Sequence, residues 1–349
     1  MQIHGFEALQ WREFDLQPIA LSFVCFTVLY EVAKRAFAHV LPWPAFLQNI
    51  EALRKHKQAK IERRALRRQA KLEKENKTSQ TTEAGAPVKR TTAPIEQCTV
   101  SESDLKLAQQ AHIRDITNRF VSSAHAVVCV ALTVMLVLRY PLPTLSDDET
   151  TISARTFLSN EVGFMQTSMS LGYFLWDLAW LVCNWTGSPL DWQYVVHHAL
   201  CLFIYGNCLM PCATYYASIF LAWELSTIPL NIRYCLRLYG GEKRGQLFQR
   251  IVLFVELAFV VSFVGIRYVF GYISSLWYWR DTLTIQYAVA TGATAMSTTD
   301  AVHYFVVSLG MQLSNLVLHV LNIKWGGIIF SSLFGMISGK SKAEKTKTL

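Results

Sequence analysis

The sequence predicts an all-α polytopic membrane protein with about seven transmembrane helices. Two compositional facts and one pattern predict it. Charged residues make up 17% of the 349 residues, against about 25% in soluble domains. Hydrophobic residues make up 52%, and mean hydropathy is +0.24. Apolar runs of about 20 residues, the length that crosses a bilayer, recur along the chain. An ordinary soluble globule is excluded, and so are disorder or coiled coil for the bulk of the chain.

The first run, 19–41, qualifies as a span although Glu31, Lys34 and Arg35 sit near its end. It is not a signal peptide, because the residues before it are acidic and offer no positive n-region. The N-terminal segment with this span covers residues 1–48. Residues 49–114 read as a cytosolic basic helix followed by a flexible, Thr-, Gln- and Ala-rich linker. Within it, 51–75 hold ten basic and four acidic residues, most of the chain's net charge of +8. Such a block next to a span is a solvated segment held near anionic lipid. Nucleic-acid binding ranks below that, since aromatic residues do not interleave with the charges.

Residues 120–140 form the second span, 164–185 the third and 194–210 a short fourth. Residues 212–235 form the fifth, 251–273 the sixth and 302–323 the seventh. The small, Thr-rich stretch 284–300 reads as a lumenal loop, a re-entrant piece or an extension of the seventh helix. Orientation follows the positive-inside rule. The 51–75 block is cytosolic, so the N terminus is lumenal. The acidic loop 141–163 suits the lumen, and the cluster from Arg233 to Arg250 suits the cytosol. Residues 326–349 are then a basic cytosolic tail. Lys345 and Lys347 resemble a dilysine retrieval signal, the kind read by coatomer on endoplasmic-reticulum proteins. The other reading is a generic basic tail.

The eight Cys show no zinc spacing and read as small apolar packing residues; no metal and no resident cofactor is expected. Ionisable groups inside spans are costly and mark candidate sites. Span three carries Asp177. Span four opens on the pair His197-His198, which lie about 100° apart on a helix and share a cavity only if it is broad. Cys201 and Tyr205 continue the His198 face. Span five carries Glu224, Thr227 and Asn231, with Pro229 loosening the helix. Span six carries Glu256 and Arg267 in rough alignment. Span seven carries a stripe, Ser308, Gln312, Asn315, His319 and Asn322, stepping by 4, 3, 4 and 3. Such stripes either line a shared polar cavity or only bond helices together, at roughly 0.6 kcal/mol per contact. A lone His such as His125 or His303 reads first as packing or interfacial. The His pair needs two partners, and Asp177 suits one of them as a carboxylate that orients an imidazole.

Arg119-Phe-Val-Ser-Ser-Ala-His125, Gly172-Tyr-Phe-Leu-Trp-Asp177, Tyr194-Val-Val-His-His198, Glu224-Leu-Ser-Thr-Ile-Pro-Leu-Asn231 and Phe263-Val-Gly-Ile-Arg267 occur in the order seen in TLC-domain proteins. The chain resembles that superfamily over about 115–325, and looks most like its TLC-domain-containing branch rather than the ceramide synthases proper. The resemblance implies that six of the helices close into a TLC-type barrel around a lipid cavity. His197 and His198 match the synthases' His pair. Glu224 falls one residue short of the register of their first downstream Asp. Thr227 falls near the second and supplies no carboxylate. The catalytic candidates are therefore His197, His198, Asp177 and Glu224. The expected cavity lining is His125, Tyr205, Thr227 and Asn231 with Arg267, Gln312, Asn315 and His319.

Two functions follow from the resemblance. One is sphingolipid-type N-acyl transfer, with one His as general base, the second His or Asp177 orienting it, and acyl-CoA as co-substrate. The other is a non-enzymatic lipid-binding regulator of membrane composition or cargo. In both, the partner is a long-chain lipid. A transporter finds less support, because no inverted repeat or paired broken helices are evident.

Overall fold

The computed structural model describes residues 16–41, 102–157, 161–209, 212–239, 245–294 and 296–337. The basic block at 51–75, the linker and the tail lysines lie outside the described residues. Every regular element among the described residues is a helix.

Helix α1 (Gln17–Val40) starts on Pro18, whose fixed φ suits a first turn. Ile19, Ser22, Phe26, Tyr30 and Ala33 form its buried stripe, while Leu21, Val24, Val28 and Val32 are each more than half exposed. That is the two-faced pattern of a helix with one side against the bundle and an apolar side left uncovered. Helix α2 (Glu102–Arg139) contains no Pro or Gly, so the span expected at 120–140 is the second half of a 38-residue helix. It stops before Pro141. Helix α3 (Glu149–Phe157) is short and lies in the stretch expected to be an acidic loop.

Helix α4 (Glu161–Cys183) is the hub, packing on α1, α2 and the following helix α5 (Pro189–Asn207). Gly172 of α4 makes the α1 crossing close: a Cβ there would stand 2.6 Å from Ser22 Cβ and 2.7 Å from the Ile19 carbonyl oxygen. At the same crossing Ser22 donates to the Met169 carbonyl at 2.7 Å. Helix α5 opens with a capping box: the Asp191 amide donates to Ser188 Oγ at 3.2 Å, and the Ser188 amide to Asp191 Oδ2 at 3.0 Å. The Thr186 hydroxyl leads the bonds that hold the Asp191 carboxyl down at about 2.

The fifth expected span, 212–235, is broken. Helix α6 (Thr214–Phe220) tightens into a 3₁₀ turn, Leu221–Ser226, before α7 (Thr227–Tyr239). Pro229 has no N–H for the carbonyl four residues back, so the backbone just ahead of it loses regular α bonding. Helix α8 (Gln246–Ser262) runs without a break through a π-helical segment, Phe263–Phe270, into α9 (Gly271–Ala290). The sixth span, expected at 251–273, thus belongs to a 45-residue helix.

The uncertain stretch 284–300 divides in three. Its first part is the end of α9. Gly292, at φ +69°, then caps α9 in a Schellman turn, with amides of Gly292 and Ala293 on the carbonyls of Val289 and Ala288. Ser297 next caps α10 (Thr298–Ile337), accepting from the Asp300 amide at 3.2 Å. Among the described residues three helices are long and apolar enough to cross a membrane: 106–139, 246–290 and 298–334.

Candidate functional site

The His pair divides its labour because neighbouring helical residues point about 100° apart. His198 turns toward α4. Its Nε2 lies 2.9 Å from Asp177 Oδ2, and its Nδ1 lies 2.7 Å from the Tyr194 carbonyl oxygen. Asp177 also accepts from Asn118 Nδ2 at 3.2 Å and from the Tyr173 hydroxyl at 3.3 Å. Both His198 nitrogens face acceptors, so the ring shares its protons with Asp177 and Tyr194 and has no lone pair free for a third group.

His197 turns the other way, into an apolar-walled cavity. Its Nε2 lies 3.7 Å from Cys201 Sγ, and its Nδ1 is buried without a hydrogen-bond partner. Tyr205, Glu224, Arg267 and Asn315 join it in the wall. The remaining wall is mostly apolar and aromatic, including Phe174, Tyr216, Phe220, Trp223 and Tyr278. One side of the wall runs from Ala213 along α6 and the 3₁₀ turn to Glu224, and Arg267 and Tyr278 contribute from the facing helix.

At the His197 level, Arg267 projects from the π-helical segment. Its Nε donates to Ser226 Oγ at 2.8 Å and Nη1 to Asn322 Oδ1 at 3.0 Å. Glu224 comes from the 3₁₀ turn, with Thr227 within hydrogen-bonding reach of its carboxylate. Two departures from regular α-helix therefore aim the two charged groups of the cavity.

Several expected lining residues sit elsewhere. His125 is fully buried between helices: its ring stacks on Tyr173 at 3.8 Å, and Nε2 meets Ser170 Oγ at 3.2 Å and Cys129 Sγ at 3.1 Å. Asn231 ties α7 to α2, donating to the Arg119 carbonyl at 3.1 Å and to Ser123 Oγ at 3.0 Å. Thr227 stands behind Glu224 rather than in the wall. Most of the span-seven stripe bonds α10 to α9. Gln312 accepts from Gln286 at 3.2 Å, and His319 Nε2 meets Ser275 Oγ at 2.7 Å. Only Asn315 of the stripe reaches the cavity wall, and it also bonds Ser275 and Trp279. Glu256 pairs with Arg233 at 2.6 Å and with Arg237, not with the Arg267 that its spacing suggested.

Residues 115–331, more than half of the chain, match the family model described as the TLC domain. The chain belongs to the TLC-domain family. An uncharacterized TLC domain-containing protein of Schizosaccharomyces pombe is 28% identical over 185 residues, 52% of this chain and 54% of that protein. TLC domain-containing protein 4-B of Danio rerio is 26% identical over 235 residues, 67% of this chain and 79% of that protein. The match thus spans about half the length of the first relative. No solved structure matches.

One cluster in the TLC domain was not singled out from the sequence. Asp281 of α9, fully buried, accepts from Arg155 of α3 at 3.0 and 2.8 Å, from Arg280 and from the Tyr216 hydroxyl. Arg155 also pairs with Asp147 at 2.8 Å. Burial works against the Asp147 charge, but bonds from Thr144 and the Arg155 cation hold its carboxyl at about 2. The readable signal was an Arg-Asp dipeptide inside an otherwise apolar run. Tyr216 links this cluster to the cavity, since it both lines the wall and donates to Asp281.

Proposed function

We propose that this is a multi-pass endoplasmic-reticulum membrane protein whose TLC domain holds a long-chain lipid in the slot ending at His197, Glu224 and Arg267. One observation carries the reading: a mostly apolar and aromatic wall stops at a few polar groups. Binding sites for lipids and drug-sized molecules share that pattern of apolar wall and sparse polar anchors. The seven-span count, with six helices around the slot, belongs to the same proposal, as do a lumenal N terminus and a cytosolic tail read by coatomer through Lys345 and Lys347.

A second reading, sphingolipid-type N-acyl transfer with acyl-CoA as acyl donor, draws on His197. That ring faces the slot with Nδ1 unpartnered, so it is the imidazole available as general base. In this reading His198 and Asp177 act by positioning rather than by proton transfer. The missing second carboxylate at Thr227 weighs toward binding without turnover.

The test assays purified full-length protein with a sphingoid base and a long-chain acyl-CoA, and extracts copurified lipid. A His197→Ala/His198→Ala variant runs beside it. Turnover lost in the variant establishes acyl transfer. Copurified long-chain lipid without turnover establishes binding alone. Neither turnover nor lipid ends both readings.

A further inference from the structure

Arg267 is the least explained group in the protein. It is 93% buried, at a depth where a cation is costly and is kept for function. All its hydrogen bonds go to neutral groups, Ser226 Oγ and Asn322 Oδ1, and its guanidinium lies 5.7 Å from the Phe263 ring and 5.8 Å from the Trp325 ring. Among the described residues no carboxylate comes within ion-pair distance, and its side-chain hydrogen bonds engage Nε and Nη1, leaving Nη2 outside them. An unused charged donor therefore stands at the polar end of an apolar slot. Because Arg267 lines the cavity, it can serve an acceptor oxygen from outside the chain, and a charge-assisted bond there is stronger than a neutral one.

Glu224 narrows the choice of ligand. It shares the slot with Arg267, so the two charges offset each other at that end. A carboxylate or phosphate head drawn by Arg267 meets Glu224, while a long-chain ammonium drawn by Glu224 meets Arg267. A neutral carbonyl oxygen suffers neither repulsion. Resting on the lipid-slot reading above, we infer that Arg267 reads the ester or amide carbonyl of a neutral acyl lipid. The chain of that lipid lies along the wall toward Tyr205 and Tyr278. Arg267 is then the residue that separates acyl lipids from lipids of equal length without a carbonyl.

Monooleoylglycerol and its oleyl ether test this, because they share tail and hydroxyls and differ in the carbonyl. Each competes with a photoreactive oleoylglycerol crosslinked to the full-length protein in nanodiscs. In the wild type the ester competes at least about tenfold better, the scale of one charge-assisted hydrogen bond. Arg267→Gln brings the ratio close to one, and Arg267→Lys, which keeps the charge but loses the fork, falls between. Equal competition in the wild type overturns the inference while leaving the lipid slot intact. An unchanged ratio in Arg267→Gln protein with native melting behaviour also overturns it. If neither lipid competes, the slot reading falls and takes this inference with it. Should Arg267→Gln fail to fold, the wild-type ratio still decides.

Discussion

Two neighbouring imidazoles in this protein carry opposite kinds of weight. His198 is tied at both nitrogens and anchors Asp177, which in turn collects bonds from Asn118 and Tyr173. His197 makes one sulfur contact and leaves Nδ1 unpaired. Stability should therefore fall more with Asp177 than with His197. Asp177→Ala strands the His198 Nε2 and the donors of two other side chains, at ~1–3 kcal/mol for each buried group left unmet. His197→Ala removes little bonding and some packing. Thermal unfolding of the two purified variants checks the order; a larger loss in His197→Ala would show that the present division of roles is wrong. The pair was legible as a pair, and so was the Asp177 partner, because helical spacing limits who can meet. What spacing does not give is the rotation of α5 about its axis. That rotation decides which imidazole enters the slot, and it is set by packing on α4.

Among the helices, long apolar runs were the readable part, and irregularities inside them were not. The apolar runs coincide with helices α1, α2, α4, α5 and α10, since apolar length and the end signals of Pro, Gly and Ser are local properties. The sequence marked Pro229 as a weak point but not the 3₁₀ turn ahead of it. Nothing local announced the π segment that carries Arg267. A π turn costs hydrogen-bond geometry and persists only when tertiary contacts repay it, here the bonds of Arg267 to Ser226 and Asn322. For His125 the reading as a packing residue matches its contacts with Tyr173 and Ser170, whereas the resemblance put it in the cavity lining because a motif carries no information on depth. Element packing also makes a sharp prediction. At the α1–α4 crossing the obstacle to a side chain at Gly172 includes the Ile19 carbonyl oxygen at 2.7 Å, which is backbone and cannot rotate away. Gly172→Ala must push the helices apart, at ~1–3 kcal/mol for an overpacked contact. Gly206→Ala has open space around its Cβ and serves as the control. Equal melting temperatures for the two variants would show that the crossing is looser than described.

Across the whole molecule, the His197 cavity and the Asp281 cluster are joined by one connected wall. Short helix α3 is fastened to α9 by Arg155, and Tyr216 passes from that cluster into the slot. Asp281 holds two arginines and a tyrosine, so removing it leaves Asp147, 2.8 Å from Arg155 and 3.6 Å from Arg280, as the one remaining anion of the cluster. Breaking a buried pair from one side costs ~3–5 kcal/mol, whereas replacing both partners with apolar groups is often neutral. Asp281→Ala should therefore be severe. Arg155→Met should cost less, because Arg280 and Tyr216 still serve Asp281. The Arg155→Met/Asp281→Leu double variant should recover part of the Asp281→Ala loss, so that the two changes are not additive. The same set reads out function. If α3 is the strap that closes one end of the slot, Arg155→Met should admit the photoreactive oleoylglycerol faster at unchanged maximal crosslinking. An unchanged rate with a lowered melting temperature would make the cluster a structural clasp alone, with no part in lipid entry.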